Sequence, residues 1–441
     1  MSDPHSPLRL PVLEPTTLRA ALNAEFHARS PLPLSSPARV SQLVFANASS
    51  DTTAERAHLA QLERLVNGEL LEGSDSHRLL AAKGIVLRWE LHTEFSSYTF
   101  YRQSATAESQ DPGTSALEAL PSEWLAAIPG ELLVATHVDL QSSANVSPES
   151  MTSGLSPTGP PVVAARVADN AAWVFTNFLF EQGFSRFQIL DVKLTQRQAG
   201  RTVQRLLDIE TYRLLSLLAL PIAKEVGNWL TPAENKLAEM VDQIGLANSL
   251  ADERHVLAQL TSLATEVEHS IARTAFRFGA ARAYHDLVMQ RVGELRERRV
   301  AGCPTFAEIM QRRLAPAVHT CIAMADRQDE LSDRLTRTCE LLRTRVEVEL
   351  ERQNQEQLLQ MNRRARLQLR LQETVEGLSV VAITYYGSQL VHYLAKGGKT
   401  LLPVLSPEIA AALSIPLIAA AAMFGIWRMR KRLRQEEERE H

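Results

Sequence analysis

The sequence predicts an α+β protein in three successive parts: an N-terminal domain with a mixed α/β sheet, a long-helix bundle or coiled-coil stalk, and a C-terminal two-helix transmembrane hairpin. Three observations predict it. Short apolar or alternating runs rich in β-branched and aromatic residues recur as far as Leu194. Sixty consecutive residues, Ala317 to Glu376, contain neither Gly nor Pro. Two 19-residue stretches, Gly377 to Ala395 and Ile409 to Trp427, carry no acidic, Lys or Arg side chain, and each just reaches the length needed to cross a hydrocarbon core of about 30 Å.

In chain order, Thr17 to Phe26 and Ala54 to Ala82 read as helical, and a sheet of five or six strands is expected from Leu43 to Phe45, Ile85 to Phe100, Leu132 to Leu140, Val162 to Val167, Ala172 to Phe180 and Phe184 to Leu194. The clearest strand pattern is the one in which Val86, Arg88, Glu90 and His92 alternate with Leu87, Trp89 and Leu91, the period that separates two faces of a sheet. Gln141 to Pro161 is Ser/Pro/Gly-rich and reads as a loop between strands. From Gln196 the spacing turns helical. Gln196 to Lys224 forms a helix broken near Pro221, and Thr231-Pro232-Ala233-Glu234 reads as a capping-box start for the next. Helical spacing revives through Val256, Leu260, Leu263 and Val267, and again from Phe276 to Val292, before Cys303-Pro304 stops it.

The Ala317 to Glu376 run would measure roughly 90 Å as one helix. Its apolar residues Leu331, Leu335, Leu342, Val346 and Leu350 step by 4, 7, 4 and 4, a spacing that suits either an intermolecular coiled coil or packing against earlier helices. Leu335, Leu342 and Val346 are therefore the candidate oligomer seam. The predicted organisation is an arm and helix (1–37), the sheet domain (38–195), a helical domain (196–316), the stalk (317–376), the hairpin (377–427, with spans 377–395 and 409–427) and a charged tail (428–441).

Topology follows from the flanking cations. Arg363, Arg364, Arg366 and Arg370 precede the first span and Arg428, Arg430, Lys431, Arg432 and Arg434 follow the second, whereas the connector carries only Lys396 and Lys399. The positive-inside rule then keeps both termini in the cytoplasm. Ser406-Pro407-Glu408 reads as the cap and first turn of the second span, in which Pro416 should place a kink. The first span is the more polar, with Thr384, Tyr385, Tyr386, Ser388, Gln389 and His392. The N-terminus lacks a basic segment followed by an apolar one, so no secretory leader is expected.

Composition bounds the chemistry. Lys+Arg 47 against Asp+Glu 51 leaves a net charge of −4 in 441 residues, which excludes the basic surplus of a dedicated nucleic-acid binder. Cys303, Cys321 and Cys339 fit a reducing compartment. No phosphate-cradling Gly-rich loop, paired-His zinc helix or nucleophile elbow is present, so neither an enzyme nor a cofactor is expected, and a metal is left open. The best polar constellation is Glu25-Phe26-His27-Ala28-Arg29: Glu25 and Arg29 pair one helical turn apart with His27 off that face, an arrangement that reads first as a structural ion pair with a helix-terminal His and only second as a site.

Glu25 to Arg29, Glu210-Thr211-Tyr212-Arg213, Leu341 to Val346, Glu351-Arg352-Gln353-Asn354, and Gln372 to Ser379 followed by Thr384-Tyr385-Tyr386 together resemble a family of uncharacterised, predicted membrane-anchored proteins of Gram-negative bacteria, a domain of unknown function covering nearly the whole chain. Ser30 departs from the pattern, since the family usually places Pro directly after the Arg. The resemblance implies a multi-pass bacterial inner-membrane protein and brings no activity. Two function classes stay open. One is a non-enzymatic scaffold that holds its cytoplasmic body at the bilayer, with lipid, unknown protein partners and a second copy of itself, through the stalk or the hairpin, as its candidate contacts. The other is an oligomeric ion channel or transporter laid out like the bacterial two-span magnesium channels, in which Glu376, Tyr385 and Tyr386 would matter most; the Gly-Met-Asn that ends that family's first span is missing here.

Overall fold

A computed structural model of the chain describes residues 18–19, 22–23, 26, 30–46, 53–74, 76–82, 84–103, 115–144, 146–148, 151, 162–397 and 407–440. The chain divides into two compact units, Met1–Gly245 with Ala258–Thr338, and Leu246–Leu257 with Cys339–His441. The architecture is α+β: a mixed sheet, then long helices, then an apolar C-terminal helix. Leu18, Arg19, Leu22, Asn23 and Phe26 are helical, as expected for that stretch.

In the first unit, ten strands form one sheet: β1 (Ala38–Ala46), β2 (Glu69–Gly73), β3 (His77–Ala82), β4 (Ile85–Leu91), β5 (Phe95–Gln103), β6 (Glu131–Ser142), β7 (Val163–Val167), β8 (Ala172–Glu181), β9 (Phe184–Asp191) and β10 (Arg298–Arg299). Their order is β10-β7-β8-β9-β6-β1-β5-β4-β3-β2. The β6–β9 pairing is parallel and all the others are antiparallel. Six of the expected runs became β1 and β4 to β9, with Ile85 to Phe100 supplying a hairpin. The additional strands β2 and β3 lie where a helix was expected through Ala82. Helix α1 (Thr53–Leu65) stops just before Asn67, whose φ is +49°, and the chain then pairs with β4 through His77↔Glu90 to Ala82↔Ile85. Tertiary pairing overrides a local helical pattern here.

Each sheet face is covered. On one side Phe45, Leu87, Trp89, Tyr98 and Phe100 pack beneath α1 and the short helix α2 (Ser122–Ala126). The Trp89 indole donates to Glu55 at 2.9 Å and the Trp124 indole to the His58 carbonyl at 3.0 Å, which satisfies the polar edges of two large buried rings. On the other side Val40, Val138, Val174, Phe187 and Ile189 pack beneath helices α3 (Gln196–Leu217) and α5 (Leu250–Leu295). This is an α/β/α layering with a separate apolar core on each face of the sheet.

Helix α3 begins at a capping box, Thr195 with Gln198, and ends at Leu218, close to the expected break. Helix α4 (Ala219–Leu246) then runs straight through Thr231-Pro232, where a new helix start was expected. The reason is a tertiary contact: Glu234 is bound at 2.7 Å by Arg327 instead of reaching back to a cap, and the Thr231 hydroxyl donates to the Gly227 carbonyl. After α5, α6 (Phe306–Ile309) opens on a Thr305/Glu308 capping box and a π-turn leads into α7 (Ala315–Gly397). Within the first unit α5 and α7 lie side by side. The buried Gln328 amide donates to Ser270 at 2.8 Å, its oxygen accepts from Thr274 at 3.2 Å, and Ser332 donates to Glu268. In the second unit Arg345 binds Glu253 at 2.5 Å. Leu335, Leu342 and Val346 are buried to 0, 2 and 6% exposure, as are Val256, Leu260 and Val267 on α5. The seam is therefore filled from within the chain and leaves nothing of these three side chains for a second copy.

Helix α8 (Pro407–Glu440) contains Pro416 and stays continuous, with Pro407–Met429 long and apolar enough to cross a membrane. Among the described residues it is the one such helix, where two were expected. Gly377 to Ala395 is the end of α7, and its six polar side chains lower its hydropathy below that of a span. A Cβ at Gly387 would lie 3.1 Å from Ile418, so the two segments touch. Ser406, the connector from 398 to 406 and most of the 141–161 loop lie outside the described residues.

Two outcomes are expected. A Cβ on Gly200 would overlap the Leu32 carbonyl oxygen and lie 2.9 Å from its carbon, so Gly200→Ala should cost about 2–3 kcal/mol in urea unfolding through displacement of α3 from the 31–34 strap. His137, stacked on Phe184 at 4.0 Å, has its pKa lowered by burial and by Arg186 from 6.5 to about 4. The folded ring stays neutral while the unfolded one protonates, so stability is lost as pH falls from 6.5 toward 4. His137→Gln should flatten that acid limb by roughly 2 kcal/mol in the same assay.

Candidate functional site

The sheet's second face does not stay apolar. At the β4/β5 end it turns polar because the alternation that sends Leu87, Trp89 and Leu91 to one side sends Arg88, Glu90 and His92 to the other. Arg88 and Glu90 are 2% and 5% exposed, and Gln42, Ser97 and Thr99 are buried beside them. Helix α3 answers with a polar stripe, Arg201, Gln204, Arg205, Asp208, Thr211 and Tyr212, at the spacing of one helical face. Arg291 and Glu294 join from the end of α5. Together these residues line a cleft of about 330 Å³ within the first unit.

The cleft is organised by ion pairs. Arg291 Nε donates to Asp208 Oδ2 at 2.8 Å and Nη1 to Glu294 Oε1 at 3.0 Å, while Arg205 Nε reaches Glu294 Oε2 at 3.1 Å. Gln204 donates to the other Asp208 oxygen at 2.8 Å and accepts from Arg88 at 3.4 Å. Arg88 also donates to the Ser30 carbonyl at 2.5 Å and lies over the Tyr101 ring. Thr211 donates to Gln42, which donates to Thr99, at 3.0 and 3.3 Å. At the far wall Tyr212 stacks on Tyr284, whose hydroxyl donates to Glu94, itself held by Arg277 at 2.8 Å.

Two carboxylates in this network are pushed apart. Burial raises the Asp208 pKa against the opposing pull of Gln204 and Arg291. For Glu294 burial pushes upward too, but hydrogen bonds from Gln290 and Arg205 and the charge of Arg291 outweigh it and the pKa falls. Behind the stripe, Glu210 is fully buried and receives two bonds from Arg213, at 2.8 and 2.7 Å. The guanidinium of Arg213 lies over Phe178.

Of the candidates read from sequence, Glu25, His27 and Arg29 lie outside the described residues, and the chain reappears at Ser30 and Pro31 on the cleft rim. Glu376 accepts from Gln372 at 3.3 Å on exposed α7. Tyr385 and Tyr386 are 59% and 72% exposed and meet edge to face. These residues belong to the second unit and Arg291 and Asp208 to the first. The cleft itself was not singled out from sequence. Its signals were the polar period-two face of β4, which was noticed, and the polar stripe on α3, which was noticed only as Glu210 to Arg213. Among the described residues no group of three or more His, Cys, Asp or Glu could hold a metal ion.

The model of a family described as "Protein of unknown function (DUF3422)" matches residues 14–433, nearly the whole chain. The chain belongs to that family. No curated protein matches it.

The Arg291–Asp208 pair generates a test. Removing the guanidinium leaves a half-buried carboxylate with Gln204 as its remaining donor, so Arg291→Ala should cost about 2 kcal/mol. Asp208→Asn in that background should recover part of the loss in a double-mutant cycle, whereas additivity of the two single losses would mean the pair does not couple.

Proposed function

We propose that the protein is a non-enzymatic, membrane-anchored scaffold that holds its sheet-and-helix body on the cytoplasmic side of a bacterial inner membrane. The observation that carries this reading is the apolar surface of α8. Ile409, Leu413, Leu417, Met423, Phe424 and Trp427 are between 57% and 70% exposed, and no stretch of Pro407–Met429 is buried in protein. Contiguous apolar surface of this extent is costly in water and favourable in hydrocarbon. Trp427 with Arg428 beside it forms the interfacial and cytoplasmic end of the segment.

In this reading Gly377 to Ala395, although less apolar than α8, crosses outward beside it and α8 returns the chain, with Gly387 against Ile418. Close approach at a glycine is how helices associate in lipid, and the polar side chains of that stretch are best placed on the helix-facing side. Both basic flanks then lie in the cytoplasm. A scaffold also needs surface to offer. Between Val348 and Val375 α7 exposes Leu358, Leu359, Met361, Leu367, Leu369 and Leu371 at 59–68%, apolar side chains spread around the helix among arginines.

Two measurements test the reading. The full chain should stay with membranes through an alkaline carbonate wash, and Leu413→Arg with Leu417→Arg, each costing about 2.5–3.5 kcal/mol at a bilayer centre, should release it. Light scattering of the detergent-purified chain should give one or two copies. Release of the unaltered chain by the wash would remove the anchor, and a ring of four or more copies would replace the scaffold with an ion channel.

A further inference from the structure

We propose that the cleft between β4/β5 and α3 is a binding site for a small anion-bearing ligand, one that presents a carboxylate or phosphate to Arg201, Arg205 and Arg291. The inference does not depend on the membrane anchor. It rests on which hydrogen-bonding capacity in the cleft is used and which is left.

The acidic side of the cleft is spent. Asp208 accepts on both oxygens, from Gln204 and Arg291, and Glu294 accepts from Arg205, Arg291 and Gln290. Glu90 is buried to 5% exposure and is also engaged. The basic side is not spent. Arg205 uses its Nε on Glu294 and Arg291 its Nε and Nη1 on the two carboxylates, which leaves both terminal nitrogens of Arg205 and one of Arg291 without a partner among the described residues. Arg201 makes no hydrogen bond or ion pair among the described residues, although it lines the same cleft one turn from Arg205.

A guanidinium offers five donors in a plane, and its favoured partner is a carboxylate or phosphate held by two parallel bonds. Arg205 and Arg291, whose carboxylate partners are already shared, and Arg201, which has none among the described residues, make a donor-rich pocket, so the missing complement is acceptor-rich and negatively charged. A cationic ligand would have to displace an existing guanidinium from Asp208 or Glu294 to find an acceptor. The volume, about 330 Å³, is that of a small-molecule site rather than of a peptide groove. Gln42, Ser97 and Thr211 on the floor and Tyr212 with Phe95 on the walls supply the polar and aromatic surface that would orient the uncharged part of such a ligand.

The test uses the full chain in detergent and titration calorimetry with two probes, inorganic phosphate and succinate, each against sodium chloride of the same ionic strength. At least one probe should bind saturably, and the one that binds identifies the anion as phosphate or carboxylate. Arg201→Gln should weaken that binding tenfold or more, and Arg201→Lys should weaken it less. Arg312→Gln, on the exposed π-turn, should leave it unchanged. Because Arg201 is exposed and makes no hydrogen bond or ion pair among the described residues, its loss should leave the urea midpoint where it was. Absence of saturable heat with both probes would overturn the proposal, as would equal affinity for Arg201→Gln and the unaltered chain.

Discussion

Everything in the first unit depends on how closely α3 lies on the sheet. Gly200 lets the helix touch the backbone at Leu32, and the amide of Leu34 donates to the Gln196 carbonyl at 3.0 Å. Held by that strap, α3 sets its polar stripe against the polar face of β4 and β1, where Gln204 meets Arg88 and Thr211 meets Gln42. Polar groups buried in this way cost free energy unless each finds a partner. Gln204, Asp208, Arg291 and Glu294, with the Thr211–Gln42–Thr99 chain beside them, meet that condition, while Arg88 binds through its two terminal nitrogens and keeps a buried Nε without a partner among the described residues. Together they set the position of α3 along the sheet more tightly than apolar packing would. Arg201, Arg205 and Arg291 meet that polar face at the cleft.

A buried polar side chain plays a comparable part between α5 and α7. Gln328, 1% exposed, is tied to Ser270 and Thr274, and a slip of either helix by one turn would leave its amide unpaired. The apolar residues on either side are then used within the chain. This changes what the long helix is for. Its apolar period serves internal packing as far as Val346, and from Val348 onward large apolar side chains are exposed.

How much of this was legible in the sequence depends on which force decided each element. The α+β class, the runs that became β1 and β4 to β9, the break near Pro221 and the long uninterrupted helix from Ala315 were legible, because period-two and period-3.6 patterns report burial directly. Strands β2 and β3 were not legible, because their pairing with β4 comes from elsewhere in the chain. Nor was the continuity of α4 through Pro232, where Arg327 of α7 takes the glutamate that would have closed a cap. In the cleft, Arg88, Glu90 and His92 could be seen to share a face, but nothing local says that a helix more than a hundred residues later would bring Arg201, Arg205 and Asp208 to it.

The sequence by itself therefore determined the local periods, the apolar segment near the C-terminus and the balance of charge, since those depend on side chains a few residues apart. The tertiary structure alone decided that Leu335, Leu342 and Val346 are filled from inside and that arginines from α3 and α5 share two carboxylates while leaving donors open. Those outcomes depend on distances between segments far apart in the chain, and a periodic pattern records that a face is buried without recording what buries it.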